Sequence, residues 1–199
     1  MIKSTDTELL PKKVAIFPLT GAVLFPGTQL PLNIFEPRYV QMIDDALASP
    51  GRVIGMIQPS KPGEKTLKKV GCLGRISTFN EAEDSRYLVT LSGTIRFEVT
   101  EELNTTTPYR QIIPDYKQYE PDLKPQKVES IDRSKLLALV KKYLENRKIM
   151  ADWEIIKDTP TEQLINYSGI LVPFTAEEKQ LLLESKTIIT RSHVLEALY

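Results

Sequence analysis

The chain has 199 residues, with 26 basic and 26 acidic side chains for a formal net charge of zero, and 41% of its residues are hydrophobic. That balance fits a globular protein with one sizeable core or two small ones and argues against a disordered polymer. Nucleic-acid binding generally leaves a basic excess, yet the charges cancel within residues 1–120 and again within 121–199, so no nucleic-acid partner is expected.

The opening segment, residues 1–13, places acidic residues and a proline where a secretory leader needs a continuous apolar core, and no apolar run approaches the ~20 residues that span a bilayer. A cytoplasmic, non-membrane protein is expected. Cys72 is the only cysteine and His193 the only histidine. No disulfide or cysteine-based metal cage can therefore form within the chain, and neither a metal nor another cofactor is expected. Cys72 lies in an apolar run flanked by glycines and reads as a small buried thiol.

In chain order, the first part is rich in strand signals. Runs at Val14–Phe17, Gln29–Phe35, Val53–Gln58, Val70–Phe79, Tyr87–Leu91, Thr94–Thr100 and Arg110–Tyr119 carry β-branched and aromatic residues between Pro, Gly, Asn or Asp. In the sixth run Ile95, Phe97 and Val99 share one face, while Thr94, Arg96 and Glu98 share the face expected to be wet. One helix interrupts the strands, with Glu36 at its cap, Pro37 in its first turn and an end at Ser49-Pro50-Gly51. Beyond the proline-containing stretch 118–126 the apolar period switches from two to about 3.6. A helix is expected from about Asp132 to Ile149, and capping boxes are read at Thr159 with Glu162 and at Thr175 with Glu178. The reading is a β-rich part over residues 1–120 and a helical subdomain over 121–199, with the apolar helical pattern running to the last residue.

Several motifs have ordinary structural readings. Leu24-Phe25-Pro26-Gly27 fits a type II turn, because Pro26 fixes φ and Gly27 tolerates positive φ. Glu36 and Arg38 fit helix capping and charge pairing, and Arg96, beside Glu98 on the polar face of its strand, fits a cross-strand pair. Lys61, Lys65, Lys68 and Lys69 fall in a solvated loop whose Gly63-Glu64-Lys65-Thr66 lacks the Gly-Lys-Ser/Thr ending of a phosphate-binding loop. No Walker A loop or Gly-x-Ser-x-Gly elbow occurs. Ser185 and Lys186 are neighbours on a helix, about 100° apart, and do not form a catalytic dyad. Asp44, Asp45, Glu81, Glu83 and Asp84 are the only carboxylate clusters worth weighing for hydrolysis, and they read as solvated helix and turn acids. His193 reads as packed or solvent-facing rather than as a base.

Taken together, Phe17-Pro18-Leu19, Leu24-Phe25-Pro26-Gly27, Leu30-Pro31-Leu32, Ile34-Phe35-Glu36-Pro37-Arg38-Tyr39, Gly71-Cys72-Leu73-Gly74, Gly93-Thr94-Ile95-Arg96-Phe97-Glu98-Val99 and residues 178–184 resemble the amino-terminal, substrate-binding domain of ATP-dependent Lon proteases. The resemblance implies an α+β fold: a PUA-like β pseudobarrel with one packed helix, followed by a carboxy-terminal helical bundle. It implies a stand-alone, non-catalytic, cofactor-free module that binds exposed apolar polypeptide segments or a protein partner, in the manner of an adaptor or chaperone. An unfolded or partly unfolded polypeptide is the expected ligand, with a protease or chaperone in trans as a further partner. The contact candidates are Leu24, Phe25, Pro26 and Gly27, with Leu24 and Phe25 expected to stand exposed, and Leu30 and Leu32 on the next strand. Small-ligand or RNA binding is the alternative that PUA-like folds allow, and the zero charge argues against RNA.

Overall fold

The computed structural model describes residues 10–83 and 86–199. Asp84 and most of the opening segment lie outside the described residues. Six strands, β1 (Val14–Pro18), β2 (Gln29–Ile34), β3 (Val53–Ile57), β4 (Val70–Glu81), β5 (Tyr87–Leu103) and β6 (Gln111–Asp115), form one sheet in the order β2-β5-β4-β3-β1-β6. A further β5–β6 pairing closes five of them into a pseudobarrel and leaves β2 as a flap on the first half of β5. β1 and β3 pair in parallel, and the other pairings are antiparallel.

The two strands read at Tyr87–Leu91 and Thr94–Thr100 are a single strand of 17 residues bent at Gly93. The glycine that signals a turn in sequence here allows close approach. A Cβ at Gly93 would collide with the carbonyl oxygen of Phe25, and the Gly93 amide donates to the Thr28 carbonyl at 2.9 Å. Thr94 is the extra residue of a β-bulge at this bend, because Leu73 pairs with Ile95 and Gly74 with Gly93.

Helix α1 (Pro37–Ala48) begins as expected with Pro37 in its first turn, and it buries Tyr39, Met42, Ile43 and Ala46. The Tyr39 ring lies 4.4 Å from that of Phe17 on β1. Glu36 makes no side-chain cap bond and instead pairs with Arg38 at 2.8 Å. The expected strand Arg110–Tyr119 is only half strand: β6 stops at Asp115, and a 3-10 segment follows over Lys117–Leu123, drawing buried Tyr119 beneath Arg96.

The helical part comprises α2 (Arg133–Asn146), α3 (Trp153–Asp158), α4 (Thr161–Leu171), α5 (Ala176–Glu184) and α6 (Ile188–Leu198). The capping box at Thr175 and Glu178 forms. That at Thr159 and Glu162 does not, because Thr159 closes α3, where its hydroxyl donates to the Ile155 carbonyl, and Pro160 caps α4. α2 ends three residues before the expected limit, as Lys148 turns to a φ of 55°. His193 is exposed, and among the described residues no group of His, Cys, Asp or Glu is placed to hold a metal ion. Burial pushes the Cys72 thiol far above its ordinary pKa, which keeps it unreactive. No helix among the described residues is long and apolar enough to cross a membrane.

Barrel and helices share one apolar core, and a buried guanidinium clamps them. Arg96 is 3% exposed, against the expectation of a wet face and a cross-strand pair. The reason is tertiary: the 3-10 segment and the end of α5 cover that side of β5. Arg96 Nε and Nη2 each donate at 2.8 Å to the two oxygens of Asp122, and the Asp122 carboxylate also accepts the Arg96 amide at 3.1 Å. Nη1 donates to the carbonyls of Leu183 at 2.9 Å and Ser185 at 2.5 Å, and Nη2 to that of Lys186 at 3.3 Å. The Leu183 carbonyl is an orphaned acceptor of the last turn of α5, and those of Ser185 and Lys186 follow its end, so one side chain satisfies both a buried carboxylate and the α5 terminus.

Removing one member of a buried, hydrogen-bonded ion pair strands the other, at a cost of about 3–5 kcal/mol. Arg96→Met should therefore lower the urea-unfolding free energy by about that amount, and Arg96→Lys should rescue little of it because a point cation cannot reproduce the fork. A loss below about 1 kcal/mol for Arg96→Met would contradict the clamp.

Candidate functional site

Leu24-Phe25-Pro26-Gly27 forms the turn read from sequence. Gly27 has φ 74°, and the Thr28 amide donates to the Phe25 carbonyl at 3.2 Å. The Thr28 hydroxyl reinforces the turn, donating to the same carbonyl at 2.7 Å and accepting from the Phe25 amide at 3.3 Å.

The expected exposure is overturned. Leu24 and Phe25 are each 0% exposed, Pro26 is buried too, and within the motif only Gly27 faces solvent. The sequence displays an apolar turn but not what descends on it. The Phe25 ring lies against Gly169 of α4, where a Cβ would come within 2.6 Å of it, and the Arg191 guanidinium of α6 stacks 4.9 Å above its centre. Asn166 of α4 donates to the Pro26 carbonyl at 3.2 Å and accepts from Arg191 Nη1 at 2.6 Å, while Arg191 Nε donates to the Leu182 carbonyl at 2.9 Å. Arg191 Nη2 has no hydrogen-bond partner, and among the described residues no carboxylate forms an ion pair with this side chain. Burial, then the charge of Arg96, pushes its pKa down to about 9. The motif is thus the joint on which the helices seat, and its apolar side chains are core.

Apolar surface is found instead on the neighbouring flap. Leu30, Leu32 and Ile34 point to one face of β2, with Leu30 and Leu32 half-buried. Register carries that face across the sheet: Leu32 stands opposite Val89, which stands opposite Phe79, and Ile34 stands opposite Tyr87. Phe79 is 41% exposed and packs edge-on against Tyr87 at 4.9 Å. On the reverse face Leu88 and Phe35 are exposed. The β4–β5 hairpin and β2 therefore present large apolar side chains on a part of the sheet that lies beyond the closed barrel.

The outer edge of β2 is a poor template for another strand. The Thr28 carbonyl turns toward β5, so by alternation the amides of odd-numbered residues turn away from it. The Gln29 amide is taken by the Tyr167 hydroxyl at 3.2 Å, and Pro31 has no N–H. Asn33 alone among the outward positions has an amide to offer, which is how edge strands are commonly blunted against unwanted pairing. Any ligand here would be gripped through side chains more than through a backbone ladder.

Because Phe25 lies inside the core, Phe25→Ser should cost about 3–5 kcal/mol, the range for emptying a buried aromatic site, and lower the thermal midpoint accordingly. Circular dichroism melts measure this. An unchanged midpoint would return the side chain to the surface.

A family model for the ATP-dependent protease La (LON) substrate-binding domain matches residues 13–198. Similar relatives include the Lon protease of Flavobacterium johnsoniae, 28% identical over 185 residues covering 89% of this chain, and Lon protease 2 of Myxococcus xanthus, 28% identical over 201 residues covering 97%. The matched stretch spans only 22% and 24% of those two proteins. Among solved structures, the Lon N-terminal domain protein from Xanthomonas campestris superposes with a TM-score of 0.66 at 20% identity, over 93% of this chain and 97% of that one. The N-terminal domain of the Mycobacterium avium complex Lon protease gives 0.65 at 20% identity, over 92% and 96%. These two likenesses establish the fold, and the family model goes further: the chain belongs to the Lon substrate-binding domain family and carries that non-catalytic domain.

Proposed function

We propose that the chain binds exposed apolar segments of unfolded or partly unfolded polypeptide, and that the face bearing Leu30, Leu32, Phe79 and Tyr87 is where it holds them. The observation that supports this reading most is the partial exposure of large apolar side chains there: Phe79, 41% exposed, and half-buried Leu32 lie in one row across three strands, on either side of buried Val89. Apolar side chains left open together on a rigid sheet mark an interaction surface. The blunted edge of β2 limits strand addition, so selection falls on the ligand's apolar side chains. Such binding needs neither cofactor nor bond-making group, in keeping with a substrate-binding domain.

In this reading Leu24, Phe25, Pro26 and Gly27 contribute from beneath, by fixing β2 to the bend of β5, while Leu30 and Leu32 touch the ligand. The bound polypeptide would be passed on to a protease or chaperone acting in trans, and a cytosolic setting suits that role. The zero net charge gives RNA no comparable foothold.

Phe79→Ser should weaken binding to a reduced, carboxymethylated protein by about tenfold, the loss of roughly 1.4 kcal/mol of apolar contact, with little change in thermal midpoint. Leu171→Ser, which removes an exposed apolar side chain from α4, should leave affinity unchanged. Fluorescence anisotropy with the labelled unfolded protein measures both. Equal affinity for Phe79→Ser and the wild type, or no binding by the wild type, would remove the proposal.

A further inference from the structure

Beyond the closed barrel β4 runs on as one arm of the hairpin, and its outer margin has no neighbouring strand among the described residues. β3 pairs with β4 only from Val53 opposite Arg75 to Met56 opposite Cys72, and the last bond between the two segments runs from the Ile76 amide to the Arg52 carbonyl at 2.8 Å. Arg52 has a φ of 50°, so the chain enters β3 through a left-handed turn and does not run alongside β4 any further. Residues 77–81 are left as a short strand margin on which every residue is exposed.

The main-chain groups of this margin are phased for pairing. The Ala82 amide donates to the Arg86 carbonyl at 2.8 Å, and on β5 the Gly93 amide and carbonyl both face β2. Both observations set the same alternation: Thr78 and Asn80 face their partners Thr90 and Leu88, whereas the N–H and C=O of Phe79 and Glu81 point away from β5. Among the described residues nothing is hydrogen-bonded to those outward groups. They stand about 6.8 Å apart along the strand, the repeat at which an antiparallel neighbour presents its own N–H and C=O. Side chains decide what the margin accepts. Phe79 and Glu81 share one face, opposite Val89 and Tyr87. Asp44 of α1 is bonded to the Tyr87 hydroxyl, so two carboxylates flank that end, and among the described residues neither is in an ion pair.

We propose that residues 77–81 bind an extended polypeptide segment as an added antiparallel strand, with an apolar residue opposite Phe79 and, two positions nearer its amino end, a basic residue opposite Glu81. The proposal rests on the polypeptide reading above and supplies its pose. The outward N–H and C=O groups hold an extended backbone, and the ring and the carboxylates choose the side chains. A helical segment has no free main-chain groups to offer in return. A margin this short, ending in a carboxylate, admits one segment and does not template a long sheet.

Fluorescence anisotropy of the full chain with the labelled peptide Thr-Thr-Lys-Thr-Val-Thr-Thr tests the pose. Saturable binding is expected, weakened about tenfold by N-methylation of the valine or of the lysine, whose amides face β4, and unchanged by N-methylation of the threonine between them, whose amide faces solvent. Replacing the lysine by glutamate should cost about fivefold, and Glu81→Gln should remove that preference. Glu81→Pro deletes one outward N–H at an edge position, where proline is tolerated, and should weaken binding about fivefold with an unchanged thermal midpoint. The methylated peptides test the pose without altering the protein. No saturable binding, equal losses from methylation at all three positions, or undiminished affinity in a folded Glu81→Pro would each overturn strand addition. If the unfolded protein of the preceding test binds through Phe79 while the methylated peptides are not distinguished, the apolar grip stands and the pose falls. No binding of that protein at all would remove both. A dimer in sedimentation that Glu81→Pro dissociates would assign the margin to a second copy and overturn the proposal.

Discussion

Seating the helices on the barrel is the constraint from which the rest of the structure follows. Two arginines manage it from opposite sides of the interface. Arg96 reaches out of the barrel to Asp122 and the carbonyls at the end of α5, and Arg191 reaches in from α6 to cover the Phe25 ring. The two sites differ in electrostatic quality. At Arg96 a matched carboxylate and a helix terminus offset the desolvation of the guanidinium, whereas Arg191 has one neutral amide, one carbonyl and a ring face. The joint is therefore held chiefly at Arg96, and Arg191 acts as a lid whose charge is costly to keep dry.

This seating explains why the apolar turn is closed and the flap remains open. α4, α5 and α6 settle over the Leu24–Gly27 turn and the second half of β5, and α4 meets β2 at Gln29 through Tyr167. β2 and the β4–β5 hairpin extend past that cover, so Leu32, Phe79 and Tyr87 are left partly open at the margin of a face whose Ile34 and Val89 are buried. Pro31 and the occupied Gln29 amide protect the same edge from pairing with other strands. An apolar face beside a blunted edge can engage loosened chains reversibly without nucleating a growing sheet.

Local chemistry was legible in the sequence, and what distant segments do to one another was not. The Pro26-Gly27 turn, the Pro37 start of α1, the Thr175–Glu178 box and the order of strands before helices depend on neighbouring residues, and they formed as read. The family resemblance carried by the Leu24–Tyr39 region also held over nearly the whole chain. Exposure could not be read in this way. Phe25 and Arg96 are each placed by contacts with residues from about 26 to 166 positions away, so an apolar turn became core and a polar strand face became an interface. Gly93 misled for a related reason, since its missing Cβ admits the Phe25 carbonyl instead of breaking the strand. Leu30 and Leu32 were reached through the family resemblance, whereas Phe79 and Tyr87 come to their face only through register across three strands.

The proposed ligand face and the joint that supports it are different parts of the protein. Hydrogen exchange read by mass spectrometry, with and without a permanently unfolded protein, tests this division most directly. New protection should appear over residues 30–35 and 78–90, while the Phe25 and Thr28 amides, already bonded inside the joint, should be slow in both states and unchanged. Contradiction would come from fast exchange at Phe25 in the free protein with slowing there on binding, and no change across the flap.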